Sequence, residues 1–143
     1  ALAIYRGSFR PSKQQPKPYA LIGVNIIAAE TDAEAKYLAT SQQMSFANLV
    51  RGERKLTQPP IDDIDTYWTP QEKAQAMHML NFSIVGSADT VRKGMIALME
   101  RTEADELMIV SDTYDQEKRR RSFEIIANVT EELKLPQLGL GGI

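Results

Sequence analysis

The hydrophobic residues of this chain are concentrated in three short runs, which are separated by stretches with polar positions at helical spacing. Residues 19–29, 82–85 and 106–111 are rich in Ile, Val and Leu, as is typical of strands that are buried on both faces. After each run, apolar residues recur every three or four positions, which predicts an amphipathic helix. Strands that alternate with helices indicate βαβ units, so the pattern predicts an α/β fold with a parallel sheet.

The predicted helices have recognisable first and last residues. Two stretches match a capping box, in which a Thr and a Glu three positions later satisfy each other's free backbone N–H groups. Polar side chains at the start of two other helices can satisfy N–H groups in the same way, and a left-handed glycine is expected to end the first helix. The predicted start residues are Thr31, Thr69, Ser87 or Asp89, and Asp115, and the terminating glycine is Gly52.

Helical spacing of apolar residues also predicts which helix positions are buried. One stretch of the chain shows neither helical nor strand spacing. Residues 53–68 contain Pro59–Pro60 and are predicted to form an irregular excursion. Pro136 and the glycines within 139–142 are expected to end all regular structure. The predicted buried positions are Leu38, Met44 and Leu49 on the first helix, Val91, Met95, Leu98 and Met99 on the third, and Phe123, Ile126, Ala127 and Thr130 on the last.

The apolar run at residues 19–29 indicates a strand with both faces covered, and the predicted helices of this chain can cover only one face. Right-handed crossovers between strands that are added in one direction place every helix on the same side of a sheet. The simplest source of the missing cover is the rest of a (β/α)8 barrel, which needs roughly 250 residues. Because residues 1–9 read as the end of a helix, we expect the 143 residues to be a C-terminal segment of a single barrel domain, with about three βα units and helices on one side.

Composition narrows the possible partners. The chain has 17 Lys and Arg against 19 Asp and Glu, which gives a net charge of -2, so no nucleic acid partner is expected. It has no Cys, which excludes a disulfide framework, a thiolate nucleophile and a zinc–thiolate site within these residues and fits a reducing, cytoplasmic location. No apolar run approaches the roughly 20 residues that cross a bilayer, so no membrane partner is expected.

Several stretches match a known family in their order and spacing. They include a Val-Gly-Ser turn that opens a helix at Val85–Met95, and an Ala-Asp-Glu-Leu strand that leads into Tyr-Asp at Ala104–Ala127. Phe9–Ser12 and Pro18–Ser41 match as well. On these residues, the sequence resembles the C-terminal part of the bacterial luciferase-like (LLM class) flavin-dependent monooxygenases.

The resemblance implies the last three βα units of a (β/α)8 TIM barrel that uses reduced FMN, molecular oxygen and a small organic substrate. The cofactor performs most of such chemistry, while the protein orients the reactants and excludes water. The earlier strands of the family, which carry much of the flavin binding, are absent from these residues, so the segment alone is expected to be inactive and its catalytic residues are unassigned. The implied partners are the N-terminal half of the barrel and a flavin reductase, and a homo-oligomer is compatible with the sequence.

The reactive face of a barrel is the C-terminal end of its strands, which directs attention to three turns of this chain. Gly86–Ser87 at a helix start is a candidate seat for the flavin phosphate, or else an ordinary cap. Ser111 and Tyr114 put polar groups at the rim, where Tyr114 can hydrogen-bond a ligand or pack as a lid, and Asp112 can shape the turn. The predicted cofactor-binding residues are therefore Gly86, Ser87, Ser111 and Tyr114.

Four other features have plain structural explanations. His78 is the only histidine and is expected to pack partly against its own helix. The aspartates within residues 62–65 lack the glycine and terminal glutamate of a calcium loop, so a solvated turn and no metal site are expected. Lys118–Arg121 is predicted to form a solvated helix face with local ion pairs. Gly139–Gly142 resembles a phosphate loop only in composition, because no helix follows it.

Two alternative functions are compatible with the same residues. The segment can act as a non-catalytic scaffold, in which Trp68, Tyr67 and Pro59–Pro60 form a docking surface. The parent protein can also be a deazaflavin-dependent oxidoreductase of the same superfamily. Titration with flavin, of the segment alone and of the segment with the N-terminal half, distinguishes the scaffold from the enzyme.

Overall fold

The computed structural model describes residues 1–133, which form three strands and five α-helices in the predicted order along the chain. No helix within these residues is both long enough and apolar enough to cross a bilayer. The predicted end of structure at Pro136 and in the glycines of 139–142 lies outside the described residues. The elements are α1 (Leu2–Ser8), β1 (Leu21–Ala28), α2 (Asp32–Val50), a 3₁₀ helix (Ile64–Thr66), α3 (Pro70–Met79), β2 (Ile84–Gly86), α4 (Ala88–Thr102), β3 (Glu106–Val110) and α5 (Gln116–Glu132).

The three strands form one parallel sheet, as the alternating pattern predicted, but their order in the sheet is not the chain order. β1 lies in the centre, with β2 on one edge and β3 on the other. β3 pairs with Leu21–Asn25 of β1, and β2 pairs with Ile26–Ala28. The expectation that the strands are added in one direction is therefore wrong, because the connection from β2 to β3 crosses back over β1.

This order places helices on both faces of the sheet. α4 and α5 pack against Val24, Ile26 and Ala28, whereas α2 packs against Ile27 and Ala29, which alternate with them along the strand. The two crossovers run in opposite directions across the sheet, so right-handed connections put α2 and α4 on opposite sides. The expectation that the helices lie on one side of the sheet thus holds for α4 and α5. It does not hold for α2, which covers the C-terminal end of the other face.

The N-terminal part of this second face is exposed within the described residues. Leu21 of β1 and Met108 and Val110 of β3 lie on it, and they are 45%, 54% and 48% exposed. Exposed apolar side chains on adjacent strands form a surface that soluble proteins normally cover. Part of this second face is therefore uncovered, as the sequence pattern predicted, but the prediction that the chain covers only one face is wrong where α2 packs on Ile27 and Ala29.

The helix ends follow the local signals closely. Thr69 and Glu72 form a complete capping box at the start of α3, and Asp115 caps α5 as predicted. Gly52, with a φ angle of 74°, follows the end of α2 in the left-handed conformation that favours glycine. Thr31 caps α2, but the Glu34 carboxylate bonds to Lys118 on α5 instead of returning to the Thr31 backbone.

The buried helix faces follow the predictions less well. Leu49, Phe123 and Ala127 were predicted to be buried, but all three are exposed, Leu49 to 58% and Phe123 to 42%. On α5 the buried stripe is shifted by one residue, because Ser122 rather than Phe123 faces β1 and bonds to it. The buried residues of α5 are Ser122, Ile125, Ile126 and Val129.

The C-terminal part of the excursion at residues 53–68 packs against α2 and α3, whereas residues 53–57 are exposed. Arg51 forms a two-point ion pair with Glu72, with N–O distances of 2.8 and 3.0 Å, and this pairing lowers the pKa of Glu72 to about 2. Arg51 also donates to the backbone carbonyl of Tyr67 at 2.7 Å. Trp68 is 6% exposed and packs in a small core with Ala47. Trp68 is therefore not available for the docking surface that the scaffold hypothesis assigned to it.

Candidate functional site

The C-terminal ends of the three parallel strands point to the same edge of the sheet. We call the residues that end or follow them, 29–32, 86–87 and 111–115, the strand-end face. In barrels, this is the face that carries the active site. All four residues that the sequence predicted to bind a cofactor lie in these segments: Gly86, Ser87, Ser111 and Tyr114.

The N-terminus of α4 is closed by a carboxylate from another part of the chain. Oδ1 of Asp32 accepts the backbone N–H of Ser87 at 2.7 Å and the hydroxyl of Thr90 at 2.8 Å. The bond from the Ser87 backbone is the main cause that holds the pKa of Asp32 below its usual value, and the Thr90 hydroxyl is the second. Asp32 thus supplies the negative charge that a helix N-terminus favours.

Gly86 is required by this arrangement because a side chain does not fit there. A Cβ at Gly86 would lie 2.4 Å from Cγ2 of Thr90 and 2.7 Å from Oδ1 of Asp32. The side chain of Ser87 makes no capping hydrogen bond to α4, and Asp89 pairs with Arg92. The prediction that Ser87 or Asp89 caps α4 is therefore wrong, and a ligand phosphate at this turn would have to displace Asp32.

Ser111 is buried and faces α5. Its hydroxyl oxygen lies 2.8 Å from that of Ser122, which accepts the backbone N–H of Ala28 at 2.9 Å. Ser111 is 4% exposed and Ser122 is 0% exposed. The Ser111 hydroxyl is thus used to join β3 to α5 and, through Ser122, to β1. Ser122 was not among the predicted site residues, although a small polar residue at the start of an apolar i, i+3, i+4, i+7 stripe is a signal that could have identified it.

Tyr114 is the most accessible of the four predicted residues. Its side chain is 50% exposed, and its hydroxyl has no hydrogen-bond partner within residues 1–133. The turn beneath it is held by Thr113, which is 0% exposed and whose carbonyl accepts a hydrogen bond from Arg119 at 2.8 Å. Tyr114 therefore presents a phenol from a fixed turn at the strand-end face, where it can contact a bound ligand.

A cleft of about 230 Å³ lies between the β1–α2 turn and the start of α5. Its charged walls are paired: Arg121 lies 2.7 Å from Glu30, and Lys118 lies 2.6 Å from Glu34. The hydrogen bond from Lys118 lowers the pKa of Glu34. The basic run at 118–121 is thus the ion-paired helix face that the sequence predicted, and the cleft offers an anion little uncompensated positive charge.

The arrangement of these groups limits what the described residues can hold. The α4 N-terminus is occupied by Asp32, the Ser111 hydroxyl is turned toward α5, and the basic side chains of the cleft are paired with glutamates. A flavin phosphate requires several free donors or an unpaired cation. The strand-end face of residues 1–133 therefore does not fit the phosphate-binding part of a flavin site, and it leaves Tyr114 as an exposed polar side chain.

The remaining sequence candidates within residues 1–133 do not lie at the strand-end face. His78 is exposed on α3, so the expected partial packing is not observed. Asp63 accepts the backbone N–H of Asp65 at 3.0 Å, and Asp65 in turn pairs with Lys73 at 2.7 Å, which makes this acidic stretch a solvated turn as predicted. Gly139–Gly142 lies outside the described residues.

Comparisons with known proteins place this chain among longer relatives. The uncharacterized protein YvbT of Bacillus subtilis (strain 168) is 45% identical over 129 residues, which are 90% of this chain and 38% of that protein. A luciferase-like monooxygenase of Escherichia coli (strain K12) is 41% identical over 133 residues, which are 93% of this chain and 40% of that protein. The chain thus spans about two fifths of the length of these curated relatives. No protein-family profile matches the chain.

Comparison with a solved structure also shows that this chain matches part of a longer protein. The crystal structure of apo-MsnO8 superposes with a TM-score of 0.69 at 26% sequence identity. The match covers 91% of this chain and 40% of that chain. The α/β fold with parallel strands is therefore shared with part of a longer protein.

Proposed function

This chain is a homologue of the luciferase-like monooxygenases over nine tenths of its residues, and on that premise we propose that its parent protein is a flavin-dependent monooxygenase. In the proposed reaction, reduced FMN supplies two electrons and two protons. One atom of O2 enters a small organic substrate, and the other atom leaves as water. The parent is a cytoplasmic enzyme that receives reduced FMN from a flavin reductase, and it can act as a homo-oligomer.

The observation that carries this proposal is the 41% identity to a luciferase-like monooxygenase across 93% of the chain. The position of Tyr114 gives further support, because an exposed phenol at the C-terminal end of a parallel strand is well placed to contact a ligand. The chain then contributes one wall of the active site. We assign the phosphate-binding part and the catalytic residues to the N-terminal part of the barrel.

The exposed sheet face has a clear role in this proposal. Leu21, Met108 and Val110 would pack against the N-terminal part of the parent protein, because exposed apolar side chains on adjacent strands are normally covered. The 143-residue segment alone would then lack both this cover and most of the flavin site. We therefore expect the segment alone to be inactive.

Anaerobic titration with reduced FMN tests the proposal. The full-length protein and the 143-residue segment are compared by the change in flavin fluorescence, and oxygen consumption is then measured after air is admitted. We expect the full-length protein to bind reduced FMN and the segment alone not to bind it. Failure of the full-length protein to bind any reduced flavin would support the scaffold hypothesis, and binding of a reduced 5-deazaflavin in place of FMN would support the alternative oxidoreductase.

A further inference from the structure

We propose that Ser122 is a positioning residue, which sets the spacing between the C-terminal ends of β1 and β3. Its side chain fills a gap in the sheet with hydrogen bonds to both strands. The two turns that follow these strands border the strand-end face. This inference rests on the proposed function only in that the turns are taken to border a flavin and substrate site.

The gap arises because β1 and β3 separate before β1 ends. Their parallel ladder covers Leu21–Asn25 of β1 and ends at Val110 of β3. β1 continues for three more residues, which pair with β2 on its other edge. The backbone N–H of Ala28 points toward the β3 side, where no strand residue accepts it.

Ser122 supplies the missing acceptor. Its Oγ accepts the Ala28 N–H at 2.9 Å and lies 2.8 Å from the Oγ of Ser111, which is the residue directly after β3. One side chain of α5 therefore connects the end of β1 to the end of β3. This bridge takes the place of one step of the backbone ladder.

Burial makes the bridge difficult to replace. Ala28, Ser111 and Ser122 are 1%, 4% and 0% exposed, so solvent has little access to the N–H group if the Ser122 hydroxyl is removed. A buried backbone N–H without a partner is strongly unfavourable, and the strands are expected to shift in order to satisfy it. A shift of either strand end moves the turn attached to it.

The turns in question carry exposed polar groups of the strand-end face. Tyr114 follows Ser111 by three residues, and Glu30 follows Ala28 by two residues. Neither Tyr114 nor Glu30 is bonded to Ser122, so any effect of Ser122 on a ligand must act through the backbone of these turns. This makes Ser122 a positioning residue rather than a binding residue.

The test compares Ser122→Ala with a matched control on the same helix. The control is Thr130→Ala, because within the part of the chain that the structure describes the Thr130 hydroxyl donates only to the carbonyl of Ile126 in α5, at 2.8 Å. Both variants are made in the full-length protein, together with Ser122→Cys, which keeps a small polar group and provides a second variant if Ser122→Ala does not fold. Affinity for reduced FMN, the melting temperature and amide exchange at Ala28 are measured for each variant.

We expect Ser122→Ala to weaken reduced FMN binding about five-fold and to accelerate exchange at Ala28, with partial recovery in Ser122→Cys. Thr130→Ala should leave both the affinity and the exchange at Ala28 unchanged, because its hydroxyl contacts neither strand. Equal affinities and equal Ala28 exchange in Ser122→Ala and the wild type would overturn the inference. If the wild type does not bind reduced FMN, the proposed function fails, and exchange at Ala28 and in residues 111–115 decides the positioning role independently.

Discussion

Gly94 on α4 lies so close to Ile84 of β2 that one added methyl group is expected to destabilise the protein. A Cβ at Gly94 would be 2.8 Å from Cγ2 of Ile84, 3.1 Å from Cγ1 and 3.2 Å from Cδ1. Overpacking of this kind costs about 1–3 kcal/mol. Alanine is the better helix former by about 0.5–1 kcal/mol, which offsets part of that cost. We therefore expect Gly94→Ala to lower the free energy of unfolding by roughly 1 kcal/mol.

The sign of this effect is expected to reverse when Ile84 is truncated. All three close carbon atoms belong to the Ile84 side chain, so Ile84→Ala removes the clash completely. In that background Gly94→Ala keeps only the gain in helix propensity, and it should raise the free energy of unfolding by about 0.5–1 kcal/mol. The interaction energy of the double-mutant cycle should thus be about 1–3 kcal/mol.

Urea unfolding of the four full-length proteins, followed by far-ultraviolet circular dichroism, measures this cycle. Gly7→Ala on α1 is the control, because a Cβ there has no heavy atom of residues 1–133 within 4 Å and should be neutral or stabilising in both backgrounds. Additive effects of Gly94→Ala and Ile84→Ala, or stabilisation by Gly94→Ala alone, would refute the close packing of α4 on β2. That packing matters for the site because it fixes the start of α4, where Gly86 and Ser87 lie.

Three further outcomes are expected. Tyr114→Phe in the full-length protein should weaken binding of reduced FMN or of the substrate about five-fold, because one lost hydrogen bond costs about 1 kcal/mol. The control, His78→Ala, should leave both affinities unchanged. Unchanged affinities in Tyr114→Phe as well would show that Tyr114 only packs. The pKa of Glu72 is about 2 in the folded protein against a usual 4.5, so its contribution to stability is complete above pH 4.5 and is lost as the pH falls through 2. Glu72→Gln should flatten this part of the curve of stability against pH, and an unchanged curve would show that the Arg51 pair does not set it. The 143-residue segment alone should bind a hydrophobic dye at its exposed sheet face, and adding the rest of the barrel should abolish this; a monodisperse segment without dye binding would contradict it.

The sequence by itself determined the kinds of element and most of the helix ends. The strand at residues 21–28 follows from a nearly continuous apolar run, and the start of α3 follows from Thr69 and Glu72. The residues that form such caps lie within three positions of each other, so the chain needs no distant contact to make them. The family resemblance was also readable, because its motifs are short stretches in a fixed order.

Only the tertiary structure decided which residues meet at the strand-end face. The sequence offered Ser87 and Asp89 as local caps for α4, but Asp32 takes that position from 55 residues away. The sequence predicted Ser111 as a ligand contact, but its hydroxyl instead forms a hydrogen bond with that of Ser122. Ser122 also accepts the backbone N–H of Ala28, which is 94 residues away in the chain. Both outcomes depend on β1 lying between β2 and β3, which brings the start of α2 beside α4 and puts α5 against the end of β1. No local period encodes strand order, because a strand that is covered on both faces has the same continuous apolar pattern at the centre of a sheet and beside its edge.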